Sequence, residues 1–215
     1  MKAMFSLLAA CLLLSATSAQ NMSPRFQMAM GKTLSKYGEC QTVADWSALS
    51  ANFDRIAKKD SSEWLPKYYT VHTLLIASFA ATDPIQKDAL LDQADASLDA
   101  LLETQAENPE VHVLHAMYYT ARLVVDPAGR GQKYSILSGQ AVSKAKALDP
   151  SNPRVQYMDI ANGMGTAQFF GQDVSTFCAV AKQAHDAFDS YPQASPIHPG
   201  WGKELLAEQA ATCER

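Results

Sequence analysis

Apolar side chains recur three and four residues apart along most of this chain, the spacing that gathers them on one face of a helix. Phe26, Met30, Leu34 and Tyr37 form one such stripe, opened by Ser23-Pro24 and stopped at Gly38. Trp46, Leu49, Phe53 and Ile56 form a second, behind a capping Thr42 and ahead of the polar run Lys58 to Ser62. From Trp64 to Ala81 the chain is apolar nearly all round, as expected of a helix packed on both sides, with Pro66 in its first turn. Asp83-Pro84 opens a helix carrying Leu90, Leu91, Ala94, Leu98, Leu101 and Leu102, which runs to about Gln105. No stretch alternates as a half-buried strand would.

Four prolines set a beat. Pro66, Pro109, Pro153 and Pro199 stand 43, 44 and 46 residues apart. Two of them head the same Asn-Pro-x-Val start, Asn108 to Val111 and Asn152 to Val155. The 44-residue shift maps Val111, Leu114, Tyr118, Ala121 and Val125 onto Val155, Met158, Asn162, Gly165 and Phe169. Partner helices follow, from about Lys133 to Leu148 and from about Asp173, the latter carrying Val174, Phe177, Ala181, Ala184 and Phe188. A last helix begins near Trp201. The pattern predicts an all-α chain of about nine helices, stacked as antiparallel pairs that bury their apolar faces on their neighbours.

Ala141, Ala145 and the run Ala147-Leu148-Asp149-Pro150-Ser151-Asn152-Pro153 resemble the second helix of a tetratricopeptide repeat and the turn that begins the next one. Trp64 to Tyr69, Phe169-Phe170-Gly171 and Pro199-Gly200-Trp201-Gly202 resemble segments of exported bacterial tetratricopeptide-like proteins. The resemblance covers about residues 64–215. It implies an α-α superhelix with a groove for a protein or peptide. The period departs from the family's roughly 34 residues, which leaves the registry of the repeats open.

The start of the chain adds an address. Lys2, the apolar run Ala3 to Leu14 and the small residues Thr17-Ser18-Ala19 read as a secretory leader cut after Ala19. The run is shorter than the about 20 apolar residues of a membrane-spanning helix. Leu8-Ala9-Ala10-Cys11 also fits a lipobox that would leave Cys11 lipidated, but too few apolar residues precede it and Leu12 to Leu14 would remain as an apolar stub. The expected organisation is a leader over 1–19 and a single helical domain over 20–215, with N-terminal helices over 20–62 and repeat units over 63–215. Loss of Lys2 with the leader would take the formal charge from −4 to −5 over 196 residues. An acidic chain without a basic run is not built for nucleic acid, and the expected location is periplasmic or secreted.

Candidate chemistry is sparse. Cys178 and Cys213 flank a possible helical hairpin at similar heights, so a disulfide between them competes with two buried thiols. Cys40 is the odd cysteine, with no neighbouring base to hold a thiolate. His112 and His115 stand one turn apart and His72 lies in the preceding unit, but no third metal ligand can be placed, and no cofactor is expected. Asp88, Asp92, Asp95 and Asp99 follow one helix stripe opposite the leucines, the pattern of a solvated face. Gly163 and Gly165 interrupt a helix, either for a close crossing or to leave room beside Asn162. Natural groove residues are Tyr68, Tyr69, Tyr118, Tyr119, Arg122 and Asn162. Phosphate-cradling glycine loops, His-Glu-x-x-His, Gly-x-Ser-x-Gly and Cys-x-x-Cys are all missing. The sequence therefore predicts a non-catalytic exported binding or scaffold module for another protein or peptide. The alternative is an extracytoplasmic protein binding a small ligand or metal.

Overall fold

The computed structural model describes residues 22–212, so the leader, Cys11 and Cys213 lie outside the described residues. Among these residues there are nine α-helices and no strand. They are α1 (Pro24–Leu34), α2 (Val43–Lys59), α3 (Trp64–Ala80), α4 (Pro84–Thr104), α5 (Pro109–Val125), α6 (Pro127–Leu148), α7 (Pro153–Phe169), α8 (Ser175–Ser190) and α9 (Lys203–Thr212). A 3-10 turn, Ser35–Glu39, extends α1. Consecutive helices pack on each other, and α3, α5 and α7 also pack side by side as one inner layer.

Most helix starts obey one local rule. Ser23, Asp83, Asn108, Asp126 and Asn152 each cap the following helix through a side-chain oxygen, with proline directly after the cap. The oxygen accepts from an amide that would otherwise lack a partner, and the proline sits where its missing N–H costs nothing. Thr42 and Asp45 cap α2 reciprocally. The sequence expectation for α6 began near Lys133, whereas the helix starts at Pro127. Asp126-Pro127 is the same start signal, and the Asp126 carboxylate accepts from Gly129 N at 3.0 Å. Gly129 and Gly131 obscured it by breaking the apolar period.

The main core runs from Phe26 in α1 to Met158 in α7 and takes in Ile197 from the connection after α8. A smaller core joins Ile160 and Met164 of α7 to Ala181, Ala184 and Leu206 of α8 and α9. Here the repeat fails. Val155 and Met158 are buried as the shift predicts, but Phe169 is 68 % exposed. The second half of α7 turns its other face inward: Ile160 and Met164 pack with Ala181 and Ala184 of α8, and Ala167 is buried. A Cβ on Gly163 would run into the end of the Phe177 ring, which would have to shift, while one on Gly165 meets nothing within 4 Å.

The two glycines therefore separate in a stability measurement. Gly163→Ala is expected to cost about 1–3 kcal/mol through overpacking. Gly165→Ala should gain up to about 1 kcal/mol through helix propensity. Equal shifts of the two urea midpoints would contradict the crossing.

Candidate functional site

The two Asn-Pro-x-Val starts place Glu110 and Arg154 at the same position of successive inner helices. Asn108 Oδ1 accepts from Glu110 N at 3.0 Å and Asn152 Oδ1 from Arg154 N at 2.9 Å, which points the two side chains alike. They meet. Arg154 Nε donates to Glu110 Oε1 and Oε2 at 2.9 and 2.8 Å, and its Nη2 donates to Oε1 at 2.6 Å. Asn152 Nδ2 donates to the same Oε1 at 2.5 Å. Both charged side chains are about nine-tenths buried or more, at 6 % and 10 % exposure.

Over this pair lies the connection between α8 and α9, residues 191–202, which acts as a strap across the inner layer. The Arg154 guanidinium stands 5.6 Å from the Tyr191 ring, and Tyr191 Oη donates to Asp149 Oδ2 at 2.7 Å. Tyr69 Oη donates to the Ile197 carbonyl at 3.1 Å, and Trp201 Nε1 donates to Tyr68 Oη at 2.8 Å. The Trp201 ring stacks 4.7 Å from His72, whose Nδ1 is 3.1 Å from Tyr37 Oη. Gly202, at φ 113, turns the strap into α9, with no room for a Cβ beside Phe188. Burial, reinforced by Arg154, pushes His72 down to about 3 and holds it neutral.

A second cluster lies between α4, α5 and α6. Arg122, in the last turn of α5, donates from Nη1 to Asp88 at 2.9 Å, from Nη2 to Asp92 at 2.5 Å and from Nε to Tyr118 Oη at 3.0 Å. Arg130 of α6 grips both oxygens of Asp88 at 2.7 and 2.8 Å, and this contact chiefly holds the Asp88 carboxyl below its usual range. Asp88, Asp92, Arg122, Arg130, Lys133 and Tyr134 line a cleft of about 470 Å³. An aromatic row leads from it along α5. Tyr134 lies 6.0 Å from Tyr119, and Tyr119 lies 4.2 Å from the His115 ring. Burial, with His112 beside it, lowers His115 to about 4, so its imidazole is neutral at ordinary pH.

The expected groove residues thus fall in three places. Tyr68 and Tyr69 are buried beneath the strap. Tyr118, Tyr119 and Arg122 converge on the second cluster. Asn162 bridges helices, donating to Ser138 Oγ at 2.8 Å and accepting from Thr120 Oγ1 at 3.2 Å. His112 is tied to the Ala106 carbonyl at 2.7 Å. No group of three or more His, Cys, Asp and Glu side chains among the described residues is placed to hold a metal ion. Cys178 of α8 takes part in a disulfide, while Cys213, the partner expected from sequence, lies outside the described residues. Cys40 is a free thiol raised by burial and by Asp45.

Sequence reasoning missed Glu110, Arg154, Asp88, Asp92, Arg130 and Tyr134. A signal existed for the first two, since opposite charges occupy equivalent positions of one motif 44 residues apart. The aspartate stripe was legible, and Asp92, Asp95 and Asp99 are solvated as expected. Its edge toward α5 also supplies the counter-charges to Arg122 and Arg130.

No family model matches the chain, and no curated protein matches it in sequence. The fold is similar to that of the HusA haemophore from Porphyromonas gingivalis, with a TM-score of 0.77 over 91 % of this chain and 94 % of that one, at 23 % identity. At that identity the likeness is one of fold.

Two outcomes follow from the strapped network. Glu110→Ala leaves a buried guanidinium unpaired and is expected to cost about 3–5 kcal/mol, whereas Glu110→Leu with Arg154→Met should recover most of it. Denaturant unfolding of the three proteins checks this. The unfolded chain protonates His72 near its ordinary 6.5 while the fold resists until about 3. Stability is then complete above pH 6.5 and falls as pH drops below it, by about 1.4 kcal/mol per unit from this group. His72→Phe should flatten that slope between pH 6.5 and 5; an unchanged slope would remove His72 as its source.

Proposed function

We propose that this chain is an exported, non-catalytic binding protein that takes a flat aromatic ligand of the haem class onto the α5 aromatic row. The observation that carries this reading is the continuity of His115, Tyr119 and Tyr134 with the cleft at Arg122. Ring faces offer stacking area to a planar ligand. Lys133, whose ammonium lies 5.1 Å from the Tyr134 ring, forms no ion pair among the described residues and is placed to meet a carboxylate at the ligand's edge. His115, unprotonated, offers a ring nitrogen to a metal centre carried by such a ligand. The cleft lies within the roughly 300–1,000 Å³ of small-molecule sites. The fold shared with a haemophore and the leader-like start of the sequence support the same reading.

An extended protein partner along the inner layer is less favoured, because the strap already lies over Tyr68 and Tyr69. Catalysis has little support either. Ser195 Oγ stands 2.7 Å from His198 Nδ1, but that contact belongs to a turn in which the same oxygen also accepts from Ile197 N.

Absorbance titration with haem and with iron-free protoporphyrin tests the proposal. Both should saturate at one equivalent, and Tyr119→Ala with Tyr134→Ala should weaken both at least about tenfold. His115→Ala should abolish the haem-specific spectral shift while leaving iron-free porphyrin binding within about twofold. A wild-type protein without a saturable change, or a double variant that binds as well as wild type, would overturn it.

A further inference from the structure

At the N-terminal end of the stack, α1, its 3-10 turn and α2 border a cleft of about 460 Å³. Its rim is basic. Arg25, Lys32 and Lys36 contribute from one wall, and Arg55 and Lys59 from the other. These are five of the chain's 18 Lys and Arg residues, gathered in one place on a protein of net charge −4. None of the five forms an ion pair among the described residues; Arg55 donates to the amide oxygen of Asn52 instead. Lys58, adjacent in sequence but absent from the cleft lining, pairs with Asp54 at 2.6 Å in the ordinary manner of a helix surface. Asp60 is the single acidic residue in the lining.

Helix electrostatics account for part of this set and not for the rest. Lys32 and Lys59 lie in the last turns of α1 and α2, where cations complement the helix dipole. Arg25 lies in the first turn of α1, where a cation opposes that dipole and is locally unfavourable. Like charges converging on a cavity also repel one another. An anion at this rim offsets the unfavourable placement of Arg25 and meets cations that form no ion pair among the described residues. The floor is of a different kind: Phe26, Ala29 and Ile56 are apolar, with Phe26 buried.

We infer that this cleft binds a free, single-chain anionic amphiphile, with its apolar chain on the Phe26–Ile56 floor and its phosphate or carboxylate head among the five cations. The concave form favours one molecule over a bilayer surface, which a raised basic face would meet better. The site is separate from the α5 row, so its failure leaves the porphyrin reading standing.

Calorimetric titration with monomeric dodecyl phosphate is the test, with dodecyl maltoside, inorganic phosphate and phosphatidylglycerol vesicles as comparison arms. The expected result is saturable binding of one dodecyl phosphate, at least about tenfold tighter than either the maltoside or inorganic phosphate. Raising salt from about 0.05 to about 0.5 M should weaken it several-fold. Lys36→Glu and Arg55→Glu should each weaken it at least about fivefold, whereas Lys182→Glu on α8 should leave it within about twofold. Equal affinity for maltoside and phosphate heads would overturn the inference. So would binding accounted for by inorganic phosphate, binding to vesicles alone, or charge reversals no different from Lys182→Glu. Should a variant lose its helical signal, the wild-type comparison of head groups decides by itself.

Discussion

The buried ion pair between Glu110 and Arg154 is the contact on which the middle of this molecule depends. Two full charges out of water are tolerated only when each has its hydrogen-bonding capacity met. That requirement fixes the distance between α5 and α7, because the Arg154 fork must reach both carboxylate oxygens while Asn152 reaches one of them. It also calls for a cover. Tyr191 supplies a ring beside the guanidinium, and the strap from Tyr191 to Gly202 then follows the inner layer to Tyr68, Tyr69 and His72. Stack and strap are one construction, since the charges hold the helices in register and the strap keeps water from the charges.

That construction decides where ligands can go. A stack of helix pairs ordinarily offers its inner layer as a binding surface. Here that layer is occupied at Tyr68 and Tyr69 by the chain's own residues, and Asn162 has both polar atoms engaged within the fold. The surfaces that keep open volume lie elsewhere, between α4, α5 and α6 and between α1 and α2. The two differ in chemistry. In the first, Arg122 and Arg130 are neutralised by Asp88 and Asp92, which leaves ring faces and a neutral imidazole as the distinctive features. In the second, five cations form no ion pair among the described residues and surround an apolar floor. One is suited to a flat ring system, the other to an anion with a greasy tail.

Much of the fold was legible in the sequence because its determinants are local. A cap, a proline and an apolar residue three or four positions on act within one turn, so Ser23-Pro24, Asp83-Pro84, Asn108-Pro109 and Asn152-Pro153 announce their helices directly. Asp126-Pro127 says the same thing, but two glycines interrupt the apolar period behind it. Of the candidate site, Tyr118, Tyr119 and Arg122 could be singled out in the sequence because they fall within five residues of one helix. Their partners on α4 and α6 were not, because an exposed aspartate stripe reads the same whether or not an arginine from the next helix meets it.

The sequence by itself determined that this chain is helical, where most of its helices start, and that two units repeat through Asn-Pro-x-Val. Only the tertiary structure decided that Glu110 and Arg154 face each other, that α7 leaves the main core halfway along, and that the strap fills the inner layer. The reason is physical. Helix starts and periods depend on hydrogen bonds and packing within a few residues. The ion pair depends on the register of neighbouring units, the turn of α7 on a ring from α8 pressing against Gly163, and the strap's path on side chains more than a hundred residues earlier in the chain.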